Sequence, residues 1–313
     1  MRLSAGRSAA TVCGVDIELR PATPEDRTRI VEISSQIWDG HDYVPELLDE
    51  WFADADGEVV GAVLDGGLVG FARRTWLAPR LAWFEGIRTD PASRGRGVGR
   101  AITEHLIHRA EAAGAERISL STYVDNEASI HIIESCGFER VATFVYRERT
   151  ADAPPIEASP DADPRIVVVT EGETIDFVAD SPFLRLANRR FPRGWRFFPF
   201  DHDPAAAVAR MSVRLGWRSG DRIEGLLCSR WPPGAPKTVV NFLDGEPEAM
   251  RELLRHALAL YPAAEIAFMV PGAEGRVAAV DPLLDEHGFA LWADGDPDVF
   301  LYEFSLEGPK DGG

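Results

Sequence analysis

The stretch Leu81–Thr103, LAWFEGIRTDPASRGRGVGRAIT, ends an apolar run in a turn carrying glycines at Gly95, Gly97 and Gly99 and arginines at Arg94, Arg96 and Arg100. A strand that runs into such a turn, which then opens a helix, leaves several backbone N–H groups pointing outward. Together with the positive end of the helix dipole they make an anion site. Glycine keeps a Cβ out of the path of an approaching phosphate oxygen. Two phosphate-binding patterns fail. The P-loop needs Gly-Lys-Ser/Thr where this chain has Gly99-Arg100-Ala101, and the dinucleotide fingerprint needs a small residue where Arg100 stands. What remains is Arg94-x-x-Gly97-x-Gly99.

That pattern resembles the pyrophosphate-binding motif of the GCN5-related N-acetyltransferases, the GNAT superfamily. The segment Asn126–Phe138, NEASIHIIESCGF, resembles the same family's helix that starts near an asparagine and ends in Gly-Phe. The resemblance covers roughly residues 15–149 and implies acetyl-CoA as co-substrate, with no metal. It implies that the amides of Gly95, Arg96, Gly97, Val98, Gly99 and Arg100, next to Arg94, hold the pyrophosphate. Ile87, Arg88 and Thr89 would pair with the pantetheine arm as an added strand, and one amide there would polarise the thioester carbonyl. Asn126 would bond the arm, cap its helix, or both. The implied reaction is direct attack of a primary amine. An ammonium has no lone pair, so a base is needed, and Glu85 is the candidate. Strand alternation puts it on one face with Trp83, Ile87 and Thr89, where apolar neighbours would raise its pKa. Its other readings are a carboxylate that binds the acceptor ammonium, or a structural ion pair. Many members protonate the departing thiolate with a tyrosine four residues before the Gly-Phe glycine. Here that place holds Ile133, leaving Tyr123 or Ser129 as substitutes.

Acceptor binding in the family comes from the first helices and the loop after them, here around Trp38, Asp42 and Tyr43. With Glu85–Arg88, these residues resemble a histidine N-acetyltransferase-like branch, whose acceptor is a free amino acid. Arg88 or Arg74 would pair with the acceptor carboxylate, or is plain surface charge. The alternatives are a protein N-terminus, a polyamine or an antibiotic as acceptor, or a non-catalytic acetyl-CoA sensor.

The elements that must position these residues follow from hydrophobic period and turn signals. Ile17–Arg20 reads as a strand, the stripe Ile30, Ile33, Ile37 and Trp38 as a helix, and Pro45–Ala53 as a second helix. Val59–Leu64, Leu68–Trp76 and Leu81–Thr89 read as strands, the first two joined at Asp65-Gly66-Gly67. Helix 97–113, strand 118–123, helix 127–135 and strand 138–147 complete this half. The chain then repeats the order: helix 246–260, strand 265–270, helix 277–287, Gly288-Phe289 and strand 299–304, which suggests a tandem duplication. The expected class is α/β (α+β): a mixed, mostly antiparallel GNAT-type sheet flanked by helices, in tandem with a second, degenerate GNAT-like domain. The expected domains are a tail at 1–14, a catalytic domain at 15–149, a Pro/Ala/Asp-rich linker at 150–164, a degenerate domain at 165–306 and a tail at 307–313. The second copy reads Asp244-Gly245-Glu246-Pro247-Glu248 at the place of the glycine turn, and its acidic groups would repel a pyrophosphate. Phe191–His202, aromatic and basic, is a pocket wall or core.

Net charge −18 argues against nucleic-acid and anionic-membrane partners. No apolar run reaches the ~20 residues of a membrane helix, and the first residues lack the apolar core of a signal peptide. A cytoplasmic protein is expected, as a monomer (an internal pseudo-dimer) or a homodimer. Cys13, Cys136 and Cys228 make neither a disulfide framework nor a zinc spacing. Cys136 reads as an inert thiol.

Overall fold

The computed structural model describes residues 8–12, 15–154, 163–230, 235–261, 265–272, 280–292 and 297–306. They form two compact units. The first holds the described residues up to Leu120, Asn126–Glu139 and those from Tyr302; the second holds Ser121–Asp125 and Arg140–Leu301. No described helix is long and apolar enough to cross a membrane.

In chain order the first half comprises β1 (Ser8–Val12), β2 (Val15–Pro21), α1 (Arg27–Ser34), α2 (Val44–Ala53), β3 (Glu58–Leu64), β4 (Gly67–Ala78), β5 (Leu81–Thr89), α3 (Val98–Ala112), β6 (Arg117–Tyr123), α4 (Glu127–Ser135) and β7 (Glu139–Arg149). Strands β1 to β5 pair antiparallel in sequence, and β5 pairs parallel with β6 across α3. Residues 8–12, expected as a loose tail, form the edge strand β1 against β2. The Asp65-Gly66 turn has positive φ at both residues, 51° and 82°, the geometry that suits the twist of a two-residue hairpin.

Helices α1 and α2 cover one face of this sheet, and α3 covers the other. Ile30, Ile33, Val44, Leu48 and Trp51 pack with Val59, Leu68 and Phe71 into one buried cluster, each large side chain contributing roughly 1.5–3 kcal/mol. On the far face α3 presents the buried stripe Val98, Ala101, Ile102, Leu106 and Ala110, the spacing of a helix with one dry side. Behind α4, Gly137 takes φ +90°, and a Cβ there would press on the Phe304 ring. Phe138 then packs between Phe84 and Phe304. The Gly-Phe step is thus a left-handed helix exit followed by a core anchor.

The second half comprises β8 (Ile166–Val168), α5 (Glu171–Ala179), α6 (Pro182–Leu186), β9 (Arg190–Arg193), β10 (Arg196–Pro199), α7 (Pro204–Ala209), β11 (Val213–Ser219), β12 (Arg222–Ser229), β13 (Lys237–Gly245), α8 (Pro247–Leu260), β14 (Glu265–Pro271), α9 (Asp281–Glu286), β15 (Ala290–Leu291) and β16 (Val299–Ser305). The second unit's sheet runs β7-β14-β13-β12-β11-β8. Its one parallel pair is β13–β14, across α8. The order β11-β12-β13-α8-β14-α9 repeats β3-β4-β5-α3-β6-α4, and Gly288 with φ +77° precedes buried Phe289 as Gly137 precedes Phe138. The helix expected from 277 is described only as Asp281–Glu286, since residues 273–279 lie outside the described residues, as do 155–162 of the expected linker.

One irregularity decides the site. Opposite β4, Arg88 pairs with Phe71 and Glu85 with Arg73, so Gly86 and Ile87 together face the single residue Ala72. This is a β-bulge with a glycine at φ +62°. It overturns the simple alternation: Arg88, not Ile87, shares the Glu85 face. A Cβ on Gly86 would sit 2.4 Å from the Trp51 ring. Gly86→Ala should therefore destabilise the fold by about 3 kcal/mol, from left-handed strain plus overpacking. Urea unfolding checks this, and an unchanged midpoint would mean that the bulge does not need glycine.

Candidate functional site

Strand β5 pairs with β6 only from Leu81 to Trp83. It then runs on to Thr89 with no strand paired on that side among the described residues. The chain leaves β5 through Asp90, whose carboxylate accepts from Ala92 N at 2.9 Å and also bonds Arg29. The turn that follows has Gly95 at φ +75° and Gly97 at φ +80°, the latter capping α3. A Cβ on Gly95 would meet nothing within 4 Å, whereas one on Gly99 would press on Ile132 of α4 at 3.1 Å. Gly95 thus faces open space, and Gly99 lets α4 pack close. Among the described residues, the amides of Gly95, Arg96, Gly97, Val98 and Gly99 donate to no protein acceptor. The first turn of α3 carries no acidic residue. This donor set fits a diphosphate, with helix dipole and amides supplying the field. Asn126 holds the N-cap position of α4, yet its side chain makes no cap bond.

The second unit's counterpart is closed. Asp244 accepts from Gly245 N and Phe183 N, both at 2.9 Å, and Glu246 N donates to Glu224 O at 2.8 Å. Pro247 at the helix start has no N–H. The amides of Gly245 and Glu246 are thus already paired, and the Asp244 carboxylate stands at the turn itself.

On the α2 face, buried Arg73 bonds Glu85 at 2.7 Å and also Asp54. Glu85 is therefore ion-paired, not isolated among apolar groups, as its directly opposed position to Arg73 requires. Further along the same face Arg88 forms a two-pronged pair with Asp42, at 3.0 and 2.9 Å. Its guanidinium lies over Trp38 at 4.5 Å and Tyr43 at 5.5 Å. Burial works against the Arg88 charge, but Asp42 and Tyr43 outweigh it and raise its pKa. Trp38 is 52% exposed, with φ +46°, and Asp39 has φ +55°. Adjacent non-glycine residues in that region are held against strain of a kind that concentrates at binding sites.

The structure thus gathers Trp38, Asp42, Tyr43 and Arg88, with Glu85 on the same face. Arg74 is elsewhere. As the strand neighbour of Arg73 it points to the α3 side, pairing with Glu58 at 3.7 Å while Arg109 bonds the same carboxylate. Ser129 is half-buried on α4. Tyr123 lies in the second unit, its ring packed on Trp292. Burial, then Glu104, pushes the Cys136 thiol up, the opposite of what a nucleophile needs. No group of three metal-binding side chains occurs among the described residues. A cavity of about 500 Å³ lined by Asp54, Trp76, Arg80 and Gly114 lies at the far end of β4 and α3, away from the glycine turn. Sequence reasoning missed Arg73 and Asp54; only the bulge glycine hinted that Glu85 would face them.

A family model described as acetyltransferase (GNAT) family matches residues 26–138. N-alpha-acetyltransferase RimI of Mycobacterium tuberculosis is 33% identical over 113 residues, covering 34% of this chain and 69% of that protein. Histidine N-acetyltransferase of Xenopus tropicalis is 31% identical over 93 residues, 29% of each chain. Two of the matched relatives are spanned over only 30% and 29% of their length. The crystal structure of a GCN5-related N-acetyltransferase from Sphaerobacter thermophilus superposes with a TM-score of 0.64 at 16% identity, over 92% of this chain and 95% of that one. At that identity the likeness is one of fold.

Asp42→Ala would leave Arg88 buried without its counter-charge. The loss expected is about 3 kcal/mol, read by chemical denaturation, and Arg88→Met added to it should recover most of that loss. A variant as stable as the parent would show that the pair is dispensable.

Proposed function

The chain belongs to the GNAT family of acetyltransferases, and from that premise we propose that its first unit transfers the acetyl group of acetyl-CoA to a primary amine of a small molecule, a free amino acid being the acceptor class. One observation carries the reading: five consecutive unpaired amides, Gly95 to Gly99, at the start of α3 beside a bare edge of β5.

In this reading the amides of Gly95 to Arg100, with Arg94 at the rim, hold the coenzyme's diphosphate. The bare edge of β5 at Ile87–Thr89 receives the pantetheine amides as a short added strand, and Asn126 bonds the same arm. The bulge at Gly86–Ile87 turns a backbone N–H off the ladder, where it stabilises negative charge developing on the thioester oxygen. Acetyl-CoA supplies the activated acyl group. The acceptor nitrogen forms the new C–N bond, the C–S bond breaks, and the coenzyme leaves as the thiol. Glu85, oriented by Arg73, takes the proton that the ammonium must lose. Ser129, on α4 of the same unit, stands as the candidate to return a proton to sulfur.

Trp38, Tyr43 and the Asp42–Arg88 pair supply an aromatic and charged surface on the Glu85 face, which supports a small polar acceptor. The local similarity to a histidine N-acetyltransferase points the same way. With Arg88 bound to Asp42, the acceptor carboxylate would have to share that guanidinium.

Calorimetry with CoA and acetyl-CoA, followed by a screen of free amino acids against polyamines and peptides, tests the proposal. Gly97→Asp puts a carboxylate into the anion seat and should weaken coenzyme binding at least about 100-fold, roughly 2.8 kcal/mol; retained affinity would place the diphosphate elsewhere. Glu85→Gln should lower kcat by about 10²–10⁴-fold with the coenzyme Kd unchanged, and wild-type turnover would remove Glu85 from proton transfer.

A further inference from the structure

Buried arginines in this chain have acceptors. Arg73 has Glu85 and Asp54, Arg88 has Asp42, Arg147 has Asp285, and Arg149 donates to the carbonyls of His287 and Pro154. Arg193, in the second unit, departs from this pattern. It is 7% exposed, and its Nε has no partner. Among the described residues it makes no hydrogen bond or ion pair.

Its setting adds positive charge where a carboxylate would be expected. Arg193 ends β9, and the hairpin register puts Arg196 of β10 directly across from it, over a two-residue turn with Gly194 at φ +63°. Like charges directly opposed across a ladder repel. The Arg193 guanidinium lies 3.1 Å over the Phe198 ring, a contact that occupies its face and leaves its N–H edge for a planar acceptor. Burial, then Arg210, Arg230 and Arg196, pulls its pKa down to about 9. Exposed Arg210 also makes no hydrogen bond or ion pair among the described residues. A buried cation without an acceptor, beside other positively charged side chains, is stabilised when a counter-charge arrives.

We propose that the β9–β10 hairpin is a binding site for a small oxyanion, a carboxylate or phosphate group gripped by the fork of Arg193 in the positive field of Arg196, Arg210 and Arg230. The site belongs to the second unit and is independent of the glycine turn. An oxyanion there would accept the N–H bonds that Arg193 lacks and offset the cross-strand repulsion.

The test uses the full chain carrying Gly97→Asp, which closes the glycine-turn seat. Sodium phosphate and sodium acetate are titrated separately at constant ionic strength, with chloride as the control, and the unfolding midpoint is followed. One of the two anions should raise the midpoint by about 3 °C at tenfold over its Kd. The stronger response identifies phosphate or carboxylate as the ligand chemistry. Adding Arg193→Met should abolish the response without lowering the anion-free midpoint. Arg193→Lys keeps the charge but not the fork and should weaken binding about tenfold; it decides the matter if the methionine variant does not fold. No response to either anion in the Gly97→Asp chain, or an undiminished response with Arg193 replaced, overturns the proposal.

Discussion

Every backbone N–H needs an acceptor, from protein, ligand or water, and among the described residues the first unit carries a run of them, Gly95 to Gly99, that no protein group satisfies. From Gly95 to Gly99 the chain turns through two left-handed glycines and enters α3 with its first amides unpaired. The turn faces open space at Gly95, where water reaches it, while Gly99 lies close against α4. The strand before it ends its pairing with β6 at Trp83 and carries a bare edge forward to Thr89. Unpaired strand edges are ordinarily a liability. Here bare edge and bare helix start adjoin, so one extended ligand with a phosphate end could satisfy both.

Charge is distributed by the same logic of pairing. The bulge at Gly86 sends Glu85 and Arg88 to one face of the sheet, where each meets a partner fixed by register or by the loop before α2. Arg73 stands opposite Glu85 in the ladder, and Asp42 reaches Arg88 from the Trp38–Tyr43 loop. Two buried ion pairs on one face form a rigid polar floor. Removing Asp42 would strand the Arg88 charge in a medium that disfavours it, whereas Arg73 holds Asp54 as a second partner. Arg74, one residue from Arg73, joins Glu58 and Arg109 on the opposite face and serves the α3 packing.

The glycine turn, the element order and the Gly-Phe step were legible in the sequence because each is a local signal: spacing, period, or a residue type that a backbone angle demands. The loop residues Trp38, Asp42 and Tyr43 were also legible, as an aromatic and acidic turn. What the sequence could not show was register. Strand alternation made Ile87 the face-mate of Glu85, and one bulge replaced it with Arg88. The same non-local pairing hid Arg73, whose role depends on which residue of β5 stops opposite it. Residues 8–12 read as a tail because a five-residue edge strand carries too little pattern to announce its partner.

The two units share an element order but differ at the turn that opens the helix. Both run strand, turn, helix, parallel strand, and both exit their later helix through a left-handed glycine into a buried phenylalanine. In the second, Pro247 deletes one donor, Glu224 takes another, and Asp244 places its own carboxylate on the amides of Gly245 and Phe183. Burial raises the Asp244 pKa while those two amides draw it down. The amides of Gly245 and Glu246 thus find acceptors within the unit, whereas those of Gly95 to Gly99 find none among the described residues.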